Sequence, residues 1–219
     1  PTDLLPPYGV SGWLDDDRAV LLNDRHDIWQ ISPDGRQRTR LTRGAEEGVT
    51  HRIQRLSVES PTIDRSAPVY LTLHGTRDQR RGFARLAPDG RIERLLLEPK
   101  SLRLLRKADS ASTFTWRSEA RDDSPDTFVS DISFRTPRQL TATNSFVDSM
   151  AWTRSELISF ENDLGVPHQG ILLYPVDYDP AKKYPMIVYT YERLADGLHT
   201  WQAPSERSYY NYTAWTLNG

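Results

Sequence analysis

The feature that most constrains this chain is a repeated hairpin signature. Asp27-Ile-Trp-Gln-Ile-Ser-Pro-Asp-Gly35 alternates like a strand and then runs into a turn, and Gly82-Phe-Ala-Arg-Leu-Ala-Pro-Asp-Gly90 repeats the arrangement. Proline presets φ for the first turn position and glycine supplies the positive φ at its end, so each copy predicts a strand, a tight reversal and a returning strand. The returning strands end in Arg40-Leu41-Thr42 and in Leu95-Leu96-Leu97. A degenerate third copy runs from Thr127 to Phe134 and returns over Pro137 to Thr141, with Arg135-Thr136-Pro137 expected to replace the proline-glycine turn. The repeat spacing is 55 residues from Ile28 to Phe83 and 45 from Phe83 to Phe128, as expected of propeller blades with variable loops.

Each hairpin is preceded by further apolar strand text: Gly12-Trp-Leu14 with Ala19-Val-Leu-Leu22, then Val69 to Leu73, then Thr113 to Trp116. The sequence therefore predicts about three four-stranded blades over residues 1–152, a partial β-propeller. An ordinary β-sandwich with two coincident hairpins is the competing architecture. Trp13, Trp29, Trp116 and Trp152 fall at strand positions and read as blade core rather than a sugar-stacking platform.

The pattern changes near residue 150. Ser155 to Phe160 alternates like a strand, Asn162-Asp-Leu-Gly165 is a turn cluster, and Gln169 to Tyr174 is the returning strand. A turn-rich linker, Pro175 to Lys183, leads to Tyr184-Pro-Met-Ile-Val-Tyr-Thr-Tyr191. That continuously apolar run reads as a strand buried on both faces, the habit of central strands in α/β sheets.

Several function classes are set aside. Charges are interspersed and the formal net charge is -2, so there is no electrostatic footprint for nucleic acid or an anionic membrane; the basic stretch Arg36 to Arg43 reads as a solvated face. No apolar run is long enough to span a bilayer. The absence of cysteine removes disulfides, thiolate metal sites and a cysteine nucleophile. His26, His51, His74, His168 and His199 show no metal-ligand spacing and read as surface or loop histidines. Asp15-Asp16-Asp17 and Asp122-Asp123 lack the glycine and glutamate of a calcium loop and read as solvated turns. No cofactor and no metal are expected. The compartment stays open between periplasmic or secreted and cytoplasmic, because residues Pro1 to Pro7 carry no signal-peptide pattern and the chain reads as a piece of a longer one.

The stretch from Glu156 to Tyr191 resembles the start of the α/β-hydrolase domain of the prolyl oligopeptidase family. The matching text is Asp163-Leu-Gly-Val-Pro-His-Gln-Gly170, Leu173-Tyr-Pro175, Tyr178-Asp-Pro-Ala-Lys-Lys-Tyr-Pro185 and Met186-Ile-Val-Tyr-Thr-Tyr191, about 36 residues in order and spacing. The resemblance implies a mainly β chain holding late propeller blades (1–152) and the truncated first part of a hydrolase domain (153–219). It implies a serine peptidase acting on short peptides, with a peptide substrate as partner of the whole protein, and places a bacterial origin among the readings of the text after residue 197. It also implies that Tyr191 takes the position of a phenol that donates to the oxyanion. Where the family shows small glycines after that tyrosine, this chain has Glu192-Arg-Leu-Ala-Asp-Gly197, which leaves a plain strand-end aromatic as the other reading of Tyr191.

Hydrolysis of this type needs Gly-x-Ser-x-Gly and, later in the chain, an aspartate and a histidine. No such motif occurs; Gly9-Val-Ser-Gly12 has the wrong spacing and reads as a turn. The triad is expected downstream of residue 219, with this chain inactive alone. A non-catalytic propeller-type binding or scaffolding module, and an esterase on the same scaffold, are the alternatives. An incomplete ring leaves strand edges unpaired, so self-association is expected.

Overall fold

The computed structural model describes residues 7–15, 17–56, 61–191 and 194–218. The stretch Pro1 to Pro6, Asp16, Ser57 to Ser60, the Glu192-Arg193 pair and Gly219 lie outside the described residues. The fold is mainly β. A first sheet has the order β1 (Val10–Trp13), β2 (Val20–Asn23), β3 (Ile28–Ile31) and β4 (Arg38–Arg40). A short helix, α1 (Gly44–Glu47), leads to a second sheet of β5 (Val49–Gln54), β6 (Val69–Gly75), β7 (Arg81–Leu86) and β8 (Ile92–Glu98). The third contains β9 (Ser101–Lys107), β10 (Thr113–Ala120), β11 (Asp123–Asp131) and β12 (Arg138–Gln139), again with sequential strands as neighbours. A two-stranded hairpin follows, β13 (Ser155–Glu161) and β14 (Pro167–Leu173), and then α2 (Tyr212–Leu217). Three four-stranded meanders, none closed into a barrel, make the partial, propeller-like β fold that the hairpin repeat implied.

The first two turns form as the proline-glycine signature dictates. Gly35 sits at φ 70° and Gly90 at φ 87°, with Gly35 N–H donating to Ser32 O at 2.8 Å and Gly90 N–H to Ala87 O at 3.0 Å. Trp29 then pairs with Arg40 and Phe83 with Leu96. The third turn falls earlier than Arg135-Thr136-Pro137. Strand β11 ends at Asp131, and Phe134 N–H donates to Asp131 O at 3.3 Å, with Phe134 at φ 55° in the place of the turn glycine. A bulky residue is strained there. Its ring is 3% exposed and packs 5.1 Å from Phe114, so burial of an aromatic holds a backbone geometry that glycine supplies elsewhere.

Other expectations are corrected. Strands β5 and β9 are not legible as strands, because their sequences, VTHRIQ and SLRLLRK, place charged and polar residues among the apolar ones. His51, read as a surface or loop residue, lies on β5 and is 3% exposed. Gly9 to Gly12 is no turn: Val10–Trp13 is β1, with a register shift at Gly12. Of the tryptophans, Trp116 is core and stacks on Phe128 at 6.0 Å, whereas Trp13 is exposed and Trp29 is half-buried with its indole N–H donating to Asp24 Oδ2 at 2.7 Å.

The largest correction concerns residues 184–191. They form no strand, and Met186, Ile187 and Val188 are 74%, 70% and 69% exposed. A strand exists only where a neighbour takes its backbone N–H and C=O groups, and no described strand lies beside this run.

The chain folds as two compact units. One gathers the described residues up to Glu98 with Leu104–Thr115 and Ser130–Pro137; the other gathers Pro99–Arg103, Trp116–Val129 and the described residues from Arg138 onward. In the first, Leu21, Ile28, Leu71, Ala84 and Leu86 are fully buried in one apolar cluster. In the second, hairpin β13–β14 is in register from Ser155↔Leu173 to Glu161↔Pro167, and its turn is held by Asn162 Oδ1, which accepts from Leu164 and Val166 N–H, each at 3.0 Å. Among the described residues no helix is long and apolar enough to cross a membrane.

Candidate functional site

Tyr191, the one residue to which sequence resemblance assigns a chemical role, is 65% exposed at the end of the irregular run. Among the described residues its hydroxyl has no hydrogen-bond partner. Nearby in sequence, Tyr189 packs against Tyr210 at 5.2 Å and Tyr212 at 5.9 Å, and Asn211 caps α2 by accepting from Ala214 N–H at 2.7 Å.

An open cleft of about 460 Å³ in the same unit is lined by Trp152, Arg154, Tyr174, Pro175, Val176, Tyr178 and Pro180. Hairpin β13–β14 positions it, because Arg154 precedes β13 and Tyr174 follows β14. The Arg154 guanidinium lies 4.1 Å from the Tyr174 ring centroid, a cation–π arrangement. The Tyr174 hydroxyl donates to Glu156 Oε2 at 2.7 Å, and that carboxylate holds the phenol above its ordinary pKa. Tyr178 meets Tyr174 edge-on at 4.6 Å. Aromatic faces and one cation suit binding.

The same unit buries an incompletely satisfied cation. Arg121 sits in the two-residue turn between β10 and β11 and is 9% exposed. Its Nη2 donates to Gly197 O at 3.1 Å, while its Nε has no partner among the described residues. Burial pushes the guanidinium pKa down, and the Tyr212 phenol is the one described ionisable group that favours its charge. The Arg121 carbonyl accepts from the Trp152 indole N–H. No sequence signal marks this arginine, since an Arg-Asp pair between strands reads as an exposed turn.

Two buried aspartates without a sequence-level role organise the blades. Asp27 Oδ1 accepts from Thr42 Oγ1 at 2.6 Å and Gly44 N–H at 2.5 Å, and its Oδ2 accepts from Arg40 Nη2 at 2.6 Å. Burial pushes the Asp27 pKa up, but these donors outweigh it and hold the carboxyl below the usual range. Asp126 repeats the clasp with Thr141 Oγ1 at 2.7 Å, Thr143 N–H at 2.8 Å and Gln139 Nε2 at 2.9 Å. The signal is present as Asp27-x-Trp with Arg40-Leu-Thr42, and Asp126-x-Phe with Gln139-Leu-Thr141. Arg40, in the stretch read as a solvated basic face, also pairs with Glu46. The Asp123 carboxylate bonds Lys100 Nζ at 3.0 Å, and no cluster among the described residues groups three metal-ligating side chains.

No family profile matches the chain, and no curated protein matches it. Solved structures do. A putative dipeptidyl aminopeptidase IV from Bacteroides ovatus is similar at 14% identity and a TM-score of 0.57, over 80% of this chain and 27% of that one. Dipeptidyl peptidase 4 from Porphyromonas gingivalis is similar at 14% and 0.56, over 76% and 23%. The AtxE2 isopeptidase with astexin3-dC4 bound is similar at 13% and 0.54, over 77% and 26%. At such identity the likeness is one of fold: the chain shares the fold of these peptidases along the part it spans. It spans about a quarter of the length of these proteins.

Proposed function

We propose that this chain is the part of a serine peptidase in which the last propeller blades, residues 1–152, pass into the first segment of an α/β-hydrolase domain, residues 153–219. The observation that carries the reading is the succession of three four-stranded meanders and then hairpin β13–β14, in a chain whose fold matches peptidases over three-quarters or more of its length. The substrate class is short peptides. The Ser-Asp-His triad belongs to the remainder of the parent protein, and the chain alone is inactive.

In the parent, the run 184–191 becomes a paired strand and Tyr191 a donor to the oxyanion of the tetrahedral intermediate. A donor aimed at charge that develops only in the transition state acts on kcat more than on KM. The test compares this chain with a version extended by ~250 residues of its own gene, about the length of an α/β domain, on aminoacyl and dipeptidyl chromogenic substrates. Activity confined to the extended protein and abolished by a serine-directed inhibitor is the expected result. In that protein Tyr191→Phe lowers kcat about 10²-fold with KM nearly unchanged; an unchanged kcat removes Tyr191 from the mechanism. Silence of both versions overturns the peptidase reading in favour of a propeller-type binding module.

The outer strands of a four-stranded meander have a neighbouring strand on one side alone, and such edges recruit other chains. The chain alone therefore self-associates with rising concentration, and a single monomeric mass at every concentration in light scattering refutes this.

A further inference from the structure

Arg121 is a buried charged side chain with no matching acceptor charge among the described residues. Among the described residues its Nε carries an unanswered N–H, and Nη2 spends one of its two on Gly197 O. The indole of Trp201 is stacked on Trp152 at 6.4 Å, nearly parallel at 9°, and Trp152 in turn donates to the Arg121 carbonyl. The Trp201 N–H is also buried without a partner among the described residues. Arginine and indole nitrogens only donate, so the group presents a positive charge and surplus N–H bonds, and no carboxylate among the described residues answers them.

We propose that Arg121, with the Trp201 indole, forms a binding site for a carboxylate. Native interiors leave few buried donors unanswered, and each one that remains needs a partner to explain it. A water molecule would satisfy one N–H and bring no charge. Chloride would bring charge without a plane. A carboxylate does both: Nε–H and one N–H of Nη2 lie parallel along one edge of a guanidinium, the fork that a carboxylate accepts with two oxygens. Either a small free acid or the C-terminal carboxylate of a peptide offers this chemistry.

Indole N–H resonances of the folded chain, with that of Trp201 assigned through Trp201→Phe, are followed while sodium acetate replaces sodium chloride at constant ionic strength and pH. The same titration is run with an N-acetyl dipeptide as free acid and as amide. The expected result is a saturable downfield movement of the Trp201 N–H with a carboxylate and none with chloride or the amide. Saturation by acetate and peptide acid at similar concentrations identifies a small-acid site; saturation by the peptide acid at least about tenfold tighter identifies a peptide C-terminus. Arg121→Leu abolishes the response. Should that variant not fold, Arg121→Lys, which keeps the charge but loses the fork, weakens binding by about tenfold. A Trp201 resonance that stays fixed in the wild-type chain, or moves equally with chloride, overturns the proposal. So does a response that Arg121→Leu retains. None of these readouts depends on peptidase activity.

Discussion

Strand β7 and the run 184–191 are both short, apolar and aromatic, yet one is at the centre of a core and the other lies in water. Phe83, Ala84 and Leu86 of β7 are fully buried, and the strand is laddered to β6 on one side and β8 on the other. Ile187 and Val188 are mostly exposed, with no described strand beside them. The difference teaches that an apolar run specifies what it would bury, while the neighbour decides whether burial happens. Backbone groups have to be paired before side chains can be stacked into a sheet face.

The first way to break the comparison is to empty the buried side of it. Phe83→Ala removes a fully buried ring from beneath two ladders, and large-to-small changes of this kind cost about 3–5 kcal/mol. Urea denaturation should show a midpoint lowered to the edge of the native baseline. A loss below about 1 kcal/mol would mean that β7 can collapse around the gap and is not the rigid centre that its burial indicates.

A second test asks what holds the blades' strands at their ends. Asp27→Ala strips the acceptor from Thr42, Gly44 and Arg40 together; Arg40 keeps Glu46, so the loss falls on the buried Thr42 hydroxyl and Gly44 N–H, at a cost of about 3 kcal/mol. Asp126→Ala removes a clasp made from Gln139, Thr141 and Thr143 with no cation in it, and about 1–3 kcal/mol is expected. The second meander has no such aspartate: Arg81 stands opposite Glu98 in the ladder. The same clasp sets a pH dependence. Because the folded-state pKa of Asp27 is lowered, the unfolded chain binds its proton more readily, so the stabilisation is present above the ordinary carboxyl value of about 3.9 and is lost as pH falls through the folded value. Asp27→Asn should flatten that acid limb of the unfolding curve. His51 acts in the same direction at higher pH: burial lowers its pKa despite Glu47 and Asp27 nearby, so stability declines as pH falls below about 6.5, and His51→Gln should remove that shallower slope.

How much of this is legible in the sequence follows from how local the cause is. The turns at Gly35 and Gly90 are readable because proline and glycine fix them within four residues. Hairpin β13–β14 is readable because alternation and an asparagine-glycine turn cluster agree. Phe134 at a positive φ is not, since its cause is the Phe114 ring from another strand. Strand β5 is hidden by His51 and Arg52, which become strand residues only when β6 pairs with them. Arg121 is invisible for the same reason, its partners Trp152 and Gly197 lying far along the chain. The Asp27 and Asp126 clasps occupy the middle ground: both ends of each are written in the sequence, but only the fold shows that they meet.

The smallest expected effect bears on the exposed side of the comparison. Ile187→Ser in this chain replaces an isoleucine already in water, and substitutions away from packing features change stability by no more than about 0.5 kcal/mol. The unfolding midpoint of the chain should therefore stay where it is. In the extended protein the same change should cost about 2–5 kcal/mol, the range for truncating a buried isoleucine, because the added segment supplies the neighbouring strands on which burial depends. Equal and small losses in both proteins would mean that the run remains exposed in the parent, and residues 184–191 would then have to be removed from the hydrolase sheet. A large loss in the short chain would mean instead that Ile187 already finds a partner here, most simply a second copy of the chain, and mass measurements on Ile187→Ser against the unaltered chain would show a dimer disappearing.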